Sequence, residues 1–392
     1  MSYNYGYSGY AGSPFGRVAP DYIIRKSGTN YLAESRFDHI PLRDTSLHDL
    51  WDSMNSDTTS PVIEFSRGSF EVDGELDIQA DDTVVRGQGP QATELKLGNG
   101  VDTNVFAQNT YHHNTYIGDL TIHGNRDNNT VGMGIDFNPG ACTYSGTSQY
   151  WGWYHVNNIQ ICECDEDAAY FRSTSGTHVQ SAFTNFRTHD NDGGTTGHDI
   201  SFTRLWDQWI GGGAGQANCR NIRFNQVSNS IVNNVYSGVG APAYPNLLIT
   251  GSGAGIQFHN CHFDNSSGNG IVIESTSKRN QFTGCAVTNF DQDGTTNTYD
   301  AVSLEDDTMY NTFTGCFFGH TDVTTGDRWK YAFHEIDNAD YNMFLSCYTG
   351  YGANGGGNAE HFATDEYLLN AGAGAHTTVE NCFKHNGAAW NT

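Results

Sequence analysis

Basic residues are scarce in this sequence, and lysine is scarcer than arginine. The 392 residues include 44 Asp and Glu against 19 Lys and Arg, which gives a formal net charge of −25 at pH 7. The lysines lie at positions 26, 96, 278, 330 and 384. Nucleic acid is not expected as a partner, because no basic stripe is available to neutralise phosphates. Mutual repulsion on this scale is screened when salt shortens the Debye length, to about 3 Å near 1 M, so we expect salt to stabilise the fold.

Long apolar runs are also missing. No stretch approaches the roughly 18 apolar residues that span a bilayer, so membrane insertion is not expected. The first seven residues contain neither an apolar segment nor a twin-arginine pair, so no signal peptide is predicted. Proline is infrequent (8 residues), whereas glycine is abundant (46) and aromatic residues make up 13% of the chain. This composition is too apolar for general disorder. A chain of this length is expected to form several domains or a one-dimensional stack, and the composition favours the stack.

The nine cysteines lack the spacing of a disulfide framework or a zinc site. Their number is odd, and the Cys162-Glu163-Cys164 segment lacks the two-residue gap of zinc knuckles. Five of them instead follow a repeat: Cys261, Cys285, Cys316, Cys347 and Cys382. We therefore expect buried free thiols that pack as small hydrophobic groups. The histidines are scattered, and no metal site is predicted from them.

The clearest positive feature is an internal repeat. The segment Asn-Gln-Phe-Thr-Gly-Cys at 280–285 returns as Asn-Thr-Phe-Thr-Gly-Cys at 311–316 and as Asn-Met-Phe-Leu-Ser-Cys at 342–347, each time after 31 residues. Looser copies lie at 258–261 and 379–382. Self-similarity at a period of 20 to 50 residues is typical of repeat architectures, and the sequence between the copies consists of short runs of alternating apolar residues broken by Gly, Asp and Asn. That pattern predicts strand, turn and strand throughout.

The pattern divides the chain into three parts. Residues 1–35 begin with a Gly/Ser/Tyr tract and are predicted to be a flexible N-terminal arm, either a simple leader or an assembly segment. Residues 36–64 are predicted to be a lead-in with a short capping helix beginning near Asp44. The apolar face expected for this helix is Leu47, Leu50, Trp51 and Met54. Residues 65–392 form the repetitive body.

If one coil equals one repeat, equivalent residues stack about 4.8 Å apart in parallel strands. The Phe of each copy then forms an interior aromatic ladder, and the Cys forms a thiol ladder beside it. The Asn of each copy is predicted to lie at a turn in the left-handed conformation, with its amide hydrogen-bonded to the next copy. The predicted aromatic ladder is Phe258, Phe282, Phe313 and Phe344.

The body, from about residue 65 to 382, resembles the right-handed parallel β-helix of the pectate-lyase-like superfamily. Residues 70–78 and 83–89 look like the first coil of that fold. The resemblance implies an all-β, single-stranded parallel β-helix, a solenoid closed by the N-terminal helix. It is specific for fold and not for chemistry.

An acidic surface, no export signal, a tyrosine-rich arm and a β-helix body together resemble a tailspike or tail-fibre protein of a haloarchaeal tailed virus. The resemblance implies a virion protein, on the tail or the capsid surface, that is released on lysis and binds a host surface polysaccharide or glycoprotein. It also implies a homotrimer attached to other virion proteins through the arm. Two alternatives remain: a polysaccharide lyase or glycoside hydrolase on the same fold, and a capsid decoration or turret protein.

Candidate catalytic residues come from two acidic clusters that each follow a predicted strand. Glu163 and Asp165 lie in one cluster, Asp190 and Asp192 in the other. Consecutive coils would place them on one flank, and glycoside hydrolysis needs such a carboxylate pair. Ordinary solvated turns are the alternative. No cofactor is predicted; calcium, which takes oxygen ligands, is the one cation that these clusters would accept, although no calcium-loop signature is present.

Exposed aromatic residues are the second kind of candidate, because Trp and Tyr faces stack on sugar rings and dominate protein contacts. The candidate glycan-binding residues are Tyr150, Trp151, Trp153, Trp206 and Trp209. Packing between a loop and the body is the alternative for these residues.

Overall fold

The computed structural model covers most of the repetitive body and its lead-in. It describes residues 19–36, 40–55, 60–110, 112, 114–138, 152–177, 179–191, 198–211, 222–238, 245–266, 268–288, 299–320, 330–336, 338–351, 367–368 and 376–383. The predictions made for residues 1–18, Cys142, Tyr150, Trp151, Asp192 and Cys219 lie outside these residues. No helix in the described part is long and apolar enough to cross a membrane.

The described part of the chain begins with three strands and one helix, and its remaining elements are strands, apart from one 3-10 turn at Arg126–Asn128. The first elements are β1 (Tyr22–Ser27), β2 (Asn30–Ser35), β3 (Leu42–Asp44), α1 (Leu47–Asn55), β4 (Val62–Phe65), β5 (Gly68–Val72), β6 (Leu76–Asp77), β7 (Val84–Arg86), β8 (Thr93–Leu97), β9 (Phe106–Gln108), β10 (Thr115–His123), β11 (Ile135–Phe137), β12 (Gly152–Cys162), β13 (Ala169–Thr177), β14 (Val179–His189), β15 (Ile200–Leu205) and β16 (Gln208–Gly211). They are followed by β17 (Ile222–Asn225), β18 (Ile231–Asn233), β19 (Tyr236–Gly238), β20 (Leu247–Thr250), β21 (Gln257–His259), β22 (His262–Asp264), β23 (Ile271–Ile273), β24 (Gln281–Thr283), β25 (Ala286–Thr288), β26 (Val302–Leu304), β27 (Thr312–Thr314), β28 (Phe317–His320), β29 (Phe333–Glu335), β30 (Met343–Leu345), β31 (Tyr348–Tyr351), β32 (Tyr367–Leu368) and β33 (Thr378–Glu380).

The strands form three parallel sheets that wrap around one core, which confirms the predicted right-handed parallel β-helix. Sheet 1 runs from β4 through β7, β10, β12, β14, β16, β18, β21, β24, β27 and β30 to β33. Sheet 2 has eleven strands, from β6 to β32, and sheet 3 consists of β19, β22, β25, β28 and β31. Side chains alternate between core and exterior along each strand.

The predicted aromatic ladder is present in the core of sheet 1. Phe258 and Phe282 stack at 4.5 Å between ring centroids, Phe282 and Phe313 at 4.4 Å, and Phe313 and Phe344 at 4.9 Å. All interplanar angles in the ladder are 4° or less. A second, unpredicted ladder lies inside sheet 2, where Phe202 stacks at 5.4 Å on the phenylalanine of each neighbouring coil. Stacked rings keep neighbouring coils in register because each ring packs on its equivalent.

The five repeat cysteines are buried and free, as predicted. Each thiol donates a weak hydrogen bond to the backbone carbonyl of the ladder residue one coil earlier. Cys316 Sγ, for example, lies 3.5 Å from the Phe282 oxygen, and Cys347 Sγ lies 3.4 Å from the Phe313 oxygen. The cysteine positions are therefore packing slots that also satisfy a carbonyl near the corner.

The asparagine ladder is buried and hydrogen-bonded along the helix axis. Asn280 Nδ2 donates to Asn311 Oδ1 at 3.0 Å, and Asn311 Nδ2 donates to Asn342 Oδ1 at 3.1 Å. The backbone N–H groups of Asn280 and Asn311 donate to the same oxygens. This part of the prediction is confirmed.

The predicted left-handed conformation of these asparagines is wrong. The residue before each of them has the positive φ instead: Arg279 at 59°, Tyr310 at 59° and Tyr341 at 55°. The physical reason is that each asparagine side chain must point into the core to reach the next amide, so the preceding residue makes the turn.

The amide ladder ends on a buried carboxylate. Asn342 Nδ2 donates to Glu335 Oε1 at 2.8 Å, and Thr377 Oγ1 donates to the same oxygen at 2.6 Å. Burial raises the pKa of Glu335, and the hydrogen bonds from Thr377 and Asn342 oppose this shift. The ionised side chain is thus destabilised by the fold although it accepts two hydrogen bonds.

Replacing Glu335 with glutamine is expected to stabilise the protein at neutral pH. A carboxyl whose pKa is raised by folding contributes stability below its ordinary value of 4.5, and that contribution is lost as the pH rises through the folded-state value. Glutamine keeps the acceptor oxygen without the charge. Unfolding midpoints of Glu335→Gln and wild type should therefore diverge from pH 4 to pH 7. The control is Glu34→Gln, because Glu34 is half exposed in an ion pair with Arg25 and its replacement should show no such trend. Equal unfolding midpoints for Glu335→Gln and wild type at pH 7 would contradict the prediction.

The N-terminal helix forms where the sequence places it, over Leu47–Asn55. Ser46 caps it, since its hydroxyl accepts from the Asp49 N–H at 3.0 Å. Its four predicted apolar residues are all buried. Trp51 Nε1 also donates to the Asp77 carbonyl at 2.8 Å, which fixes the helix on the first coil.

The predicted arm over residues 1–35 is revised in its C-terminal part. β1 and β2 form an antiparallel hairpin, and β1 also pairs in parallel with β4. The alternating residues Tyr22, Ile24, Tyr31 and Ala33 are buried. The hairpin is therefore part of the folded body, because its apolar face covers the first coil.

Candidate active site

Glu163 and Asp190 occupy equivalent positions in consecutive coils. Each directly follows the end of a paired strand, since Cys162 of β12 lies opposite His189 of β14. Both have left-handed backbones, with φ of 52° and 57°. Their side chains remain 38% and 42% exposed, respectively. The corner of the β-helix thus brings together one member of each predicted acidic cluster, whereas Asp165 lies two residues further on and Asp192 is not described.

A histidine from the preceding coil holds Glu163. His123 lies opposite Cys162 in register, and its Nε2 is 3.3 Å from Glu163 Oε2. The backbone N–H of Asn125 donates to His123 Nδ1 at 3.0 Å. In the neutral ring the proton is therefore on Nε2, which donates to the carboxylate.

A second histidine holds Asp190. Gln160 Nε2 donates to His189 Nε2 at 2.8 Å, and His189 Nδ1 donates to Asp190 Oδ2 at 2.9 Å. Nε2 therefore accepts and the proton of the neutral ring is on Nδ1, which is the opposite tautomer to that of His123. We call His123, Gln160, Glu163, His189 and Asp190 the histidine–carboxylate platform.

The platform can hold and move protons on the outside of the β-helix. Glu163 contacts His123 of the preceding coil, whereas Asp190 contacts His189 of its own coil. The two carboxylates are therefore between one and two strand spacings apart, roughly 5–10 Å. Carboxylate pairs in glycoside hydrolases fall in the same range. Each histidine supplies an N–H at its carboxylate, so a proton can pass between ring and carboxylate.

A buried carboxyl stabilises the backbone behind the platform. Asp199 accepts from Asn191 Nδ2 and from Thr188 Oγ1, both at 3.2 Å. Burial raises the pKa of Asp199 well above its ordinary value, and these two hydrogen bonds oppose the shift. Asn191 Oδ1 in turn accepts from the Cys164 N–H at 2.9 Å, which joins the corners of two coils.

The thiol within the platform is unreactive. Cys162 lies in register between His123 and His189, but burial raises the pKa of its thiol to about 11. Its Sγ donates to the Ile122 carbonyl at 3.7 Å. A nucleophile needs the thiolate, so this cysteine has a packing role.

Two of the predicted glycan-binding aromatic residues are partly exposed on one coil, on either side of the turn at Asp207. Trp206 is 37% exposed and Trp209 is 41% exposed. Trp209 belongs to β16 and lies between Ala182 and Ile231 of the adjacent strands. Trp153 belongs to β12, one of the platform strands. The structure thus places both tryptophans on one coil, with Trp209 opposite Ala182, seven residues before the platform residue His189 on β14.

Most of the histidine–carboxylate pairs are not apparent from the sequence, because their members lie far apart in the chain; His189 beside Asp190 is the exception. Among the described residues, His334 pairs with Asp300 at 2.9 Å and His376 with Asp340 at 2.8 Å, in addition to the platform pairs. The one available sequence signal was the adjacent pair His189-Asp190. No group of three or more metal-ligating side chains occurs in the described part of the chain.

The comparisons with known proteins identify the architecture. No protein-family model matches the chain, and no curated protein is similar to it in sequence. Among solved structures it is similar to the A-module of mannuronan C-5 epimerase AlgE6 from Azotobacter vinelandii, with a TM-score of 0.58 and 13% identity over 86% of this chain and 94% of that one.

Two bacteriophage proteins are similar to the same extent. The enzymatically active domain of tailspike protein 2 of bacteriophage CBA120 has a TM-score of 0.58 at 11% identity, over 86% of this chain and 49% of that one. The pre-mature gene product 12 of bacteriophage phi29 has a TM-score of 0.61 at 11% identity, over 88% of this chain and 49% of that one. This chain therefore spans about half the length of those phage proteins. At such identities the similarity concerns the fold, and the fold of this chain is the parallel β-helix that these proteins share.

Proposed function

We propose that this protein is a β-helix spike or tail-fibre protein of a virion that binds a host surface glycan. The observation that carries the proposal is the pair of exposed tryptophans, Trp206 and Trp209, on the coil that follows the histidine–carboxylate platform. Aromatic faces and fixed polar side chains on one rigid surface are the groups that bind sugar rings. The similar phage tailspike and the similar mannuronan epimerase support the proposal, since their names connect this fold with virions and with a polysaccharide.

Removing the tryptophan side chains is expected to weaken binding to host cells and to purified envelope glycan. Trp206→Ala and Trp209→Ala should each reduce the affinity by roughly 10-fold, the effect typical of an aromatic residue that is central to an interface. Val131→Ala is the control, because Val131 is 45% exposed on another part of the surface. Unchanged binding by the double alanine variant would refute the role of this surface.

A second candidate function is hydrolysis of the same glycan, and the specific observation that favours it is the Glu163–Asp190 pair. In this reading one carboxyl protonates the glycosidic oxygen and the other acts on the opposite face of the sugar. The adjacent histidine of each carboxyl supplies or accepts the proton.

Isosteric substitutions test this second function. Glu163→Gln and Asp190→Asn should each reduce the release of reducing ends from envelope glycan at least about 100-fold, the usual contribution of a general acid or base. Binding to the glycan should persist in both variants. If wild type releases no product while still binding, the protein is an adhesin without hydrolase activity.

The proposal extends to the source and the assembly. The acidic, lysine-poor composition supports a virus of a halophilic archaeon, and spike function supports a homotrimer attached through the N-terminal arm. Mass photometry in molar salt and in dilute buffer tests both parts. We expect a trimer in molar salt that dissociates or unfolds in dilute buffer. A monomer with the same stability at low and high salt would contradict both. Immunogold labelling of virions would separate a tail location from a capsid location.

A further inference from the structure

Four polar side chains form a compact patch on the exterior of sheet 2. Asp136 lies on β11, and Asn138 lies just beyond the end of that strand. Tyr170 and Arg172 occupy the equivalent positions on β13, because Asp136 pairs with Tyr170 and Phe137 pairs with Phe171. Neighbouring strands are about 5 Å apart and alternate residues about 7 Å apart. The patch is therefore about the size of one sugar ring.

Three buried polar atoms of this patch have no hydrogen-bond partner among the described residues. They are Asp136 Oδ1, Asn138 Oδ1 and Arg172 Nε. Asp136 as a whole is only 7% exposed. Buried polar atoms are nearly always hydrogen-bonded in folded proteins, so three unpaired atoms on neighbouring positions indicate a place where ordered water or a ligand supplies the bonds.

The remaining groups of the patch are held firmly. Arg172 Nη2 donates to Asp136 Oδ2 at 2.7 Å, and the guanidinium lies 4.7 Å from the centroid of the Tyr170 ring. The Tyr170 hydroxyl forms a 3.2 Å hydrogen bond with Thr203 Oγ1. The unpaired atoms are consequently fixed in position before a ligand arrives, which lowers the entropy cost of binding.

The free atoms define the chemistry of the ligand. Two of them are acceptors and one is a donor, which matches hydroxyl groups, since a hydroxyl both donates and accepts. A carboxylate is disfavoured, because it would face two acceptor oxygens and a guanidinium already neutralised by Asp136. Glu75 adds negative charge near Asp136 and raises the pKa of its carboxyl, although burial is the larger cause of that shift. The patch therefore selects against acidic sugars.

We propose that Asp136, Asn138 and Arg172 form a subsite for a neutral sugar unit. The inference rests on the proposed glycan-binding function and deepens it by naming the ligand class. The same face carries a second unpaired buried donor, Arg223 Nε. It lies two strands beyond β13, the strand of Arg172, roughly 10 Å away, through the register Tyr170–Ser201–Arg223. Contact points at this separation fit an oligosaccharide lying along the helix axis better than a single sugar.

The test uses the full chain and defined probes. Neutral oligosaccharides of glucose, mannose, galactose and N-acetylglucosamine are screened beside mannuronate oligomers, and the best binder is titrated by calorimetry. Asn138→Ala removes one acceptor, and Arg172→Lys removes the Nε donor while keeping a cation for Asp136. Each should lower the affinity for a neutral oligosaccharide about 5- to 10-fold, as expected for one hydrogen bond. Glu274→Gln is the control, because Glu274 is a partly buried residue directly after β23 of the same sheet and the variant should bind as wild type does.

The outcomes separate this subsite from the general function. Equal affinities in wild type, Asn138→Ala and Arg172→Lys, with melting temperatures unchanged, would overturn the subsite. Binding to mannuronate oligomers alone would overturn it as well. A crystal structure grown with saturating oligosaccharide that shows ordered water, and no sugar, on Asp136 Oδ1, Asn138 Oδ1 and Arg172 Nε would also overturn the subsite, because the patch would then be a hydration site. If wild type binds cells through its tryptophans but binds no neutral probe, the subsite fails and the glycan-binding function stands. Failure to bind either cells or probes would remove both.

Discussion

Phe313→Asp is expected to prevent folding of the C-terminal coils. Phe313 is fully buried and stacks between Phe282 and Phe344. Loss of the ring alone costs about 3–5 kcal/mol, and a carboxylate without a partner in this core adds several kcal/mol more. The sum is comparable to the whole stability of a typical domain, about 5–15 kcal/mol.

Circular dichroism and thermal unfolding would measure this effect. The matched control is Thr314→Asp, since Thr314 is the next residue of the same strand and its half-buried side chain points to the exterior. The control should fold with nearly the stability of wild type. A cooperative unfolding transition at the wild-type temperature in Phe313→Asp would contradict the core assignment of the aromatic ladder.

Asn311→Ala is expected to have the second-largest effect, although it removes no large apolar group. Asn311 Oδ1 accepts from both the backbone N–H and the side-chain Nδ2 of Asn280. Both donors are buried, and alanine leaves them without that acceptor. An unsatisfied buried group costs about 1–3 kcal/mol, so a loss of roughly 2–6 kcal/mol is expected.

Chemical denaturation would quantify this loss. Asn260→Gly is the control, because Asn260 is exposed and has a φ of 52°, a conformation that glycine adopts freely. The control should lie within about 0.5 kcal/mol of wild type, as is usual for surface substitutions. If Asn311→Ala were equally harmless, the amide ladder would not be a source of stability.

The two ladders show why so much of the fold was predictable from the sequence. Phe282, Phe313 and Phe344 recur at a constant step of 31 residues, so the spacing alone predicts which residues of neighbouring coils stack on each other. A residue that must pack on its own equivalent in the next coil is constrained at every copy. The left-handed turn was assigned one residue too late because spacing alone does not show which of two neighbours points inward.

The candidate site was less predictable because its coils differ in length. His123 and Cys162 are paired in register across 39 residues, whereas Cys162 and His189 are paired across 27. Without a constant step, the sequence does not reveal that the two histidines lie on the same face as Glu163 and Asp190. The clusters of acids were visible in the sequence, and so was His189 beside Asp190, but the contact of His123 with Glu163 was not.

The sequence by itself determined the architecture of this protein: a parallel β-helix with ring, thiol and amide ladders, capped by a short helix that begins near Asp44. These features depend on local patterns and on a repeat, and both are present in the linear chain. Only the tertiary structure decided which polar groups meet on the exterior, including the platform and the patch of Asp136, Asn138 and Arg172. The physical reason is that exterior groups from different coils become neighbours through strand register, and coils of unequal length set that register.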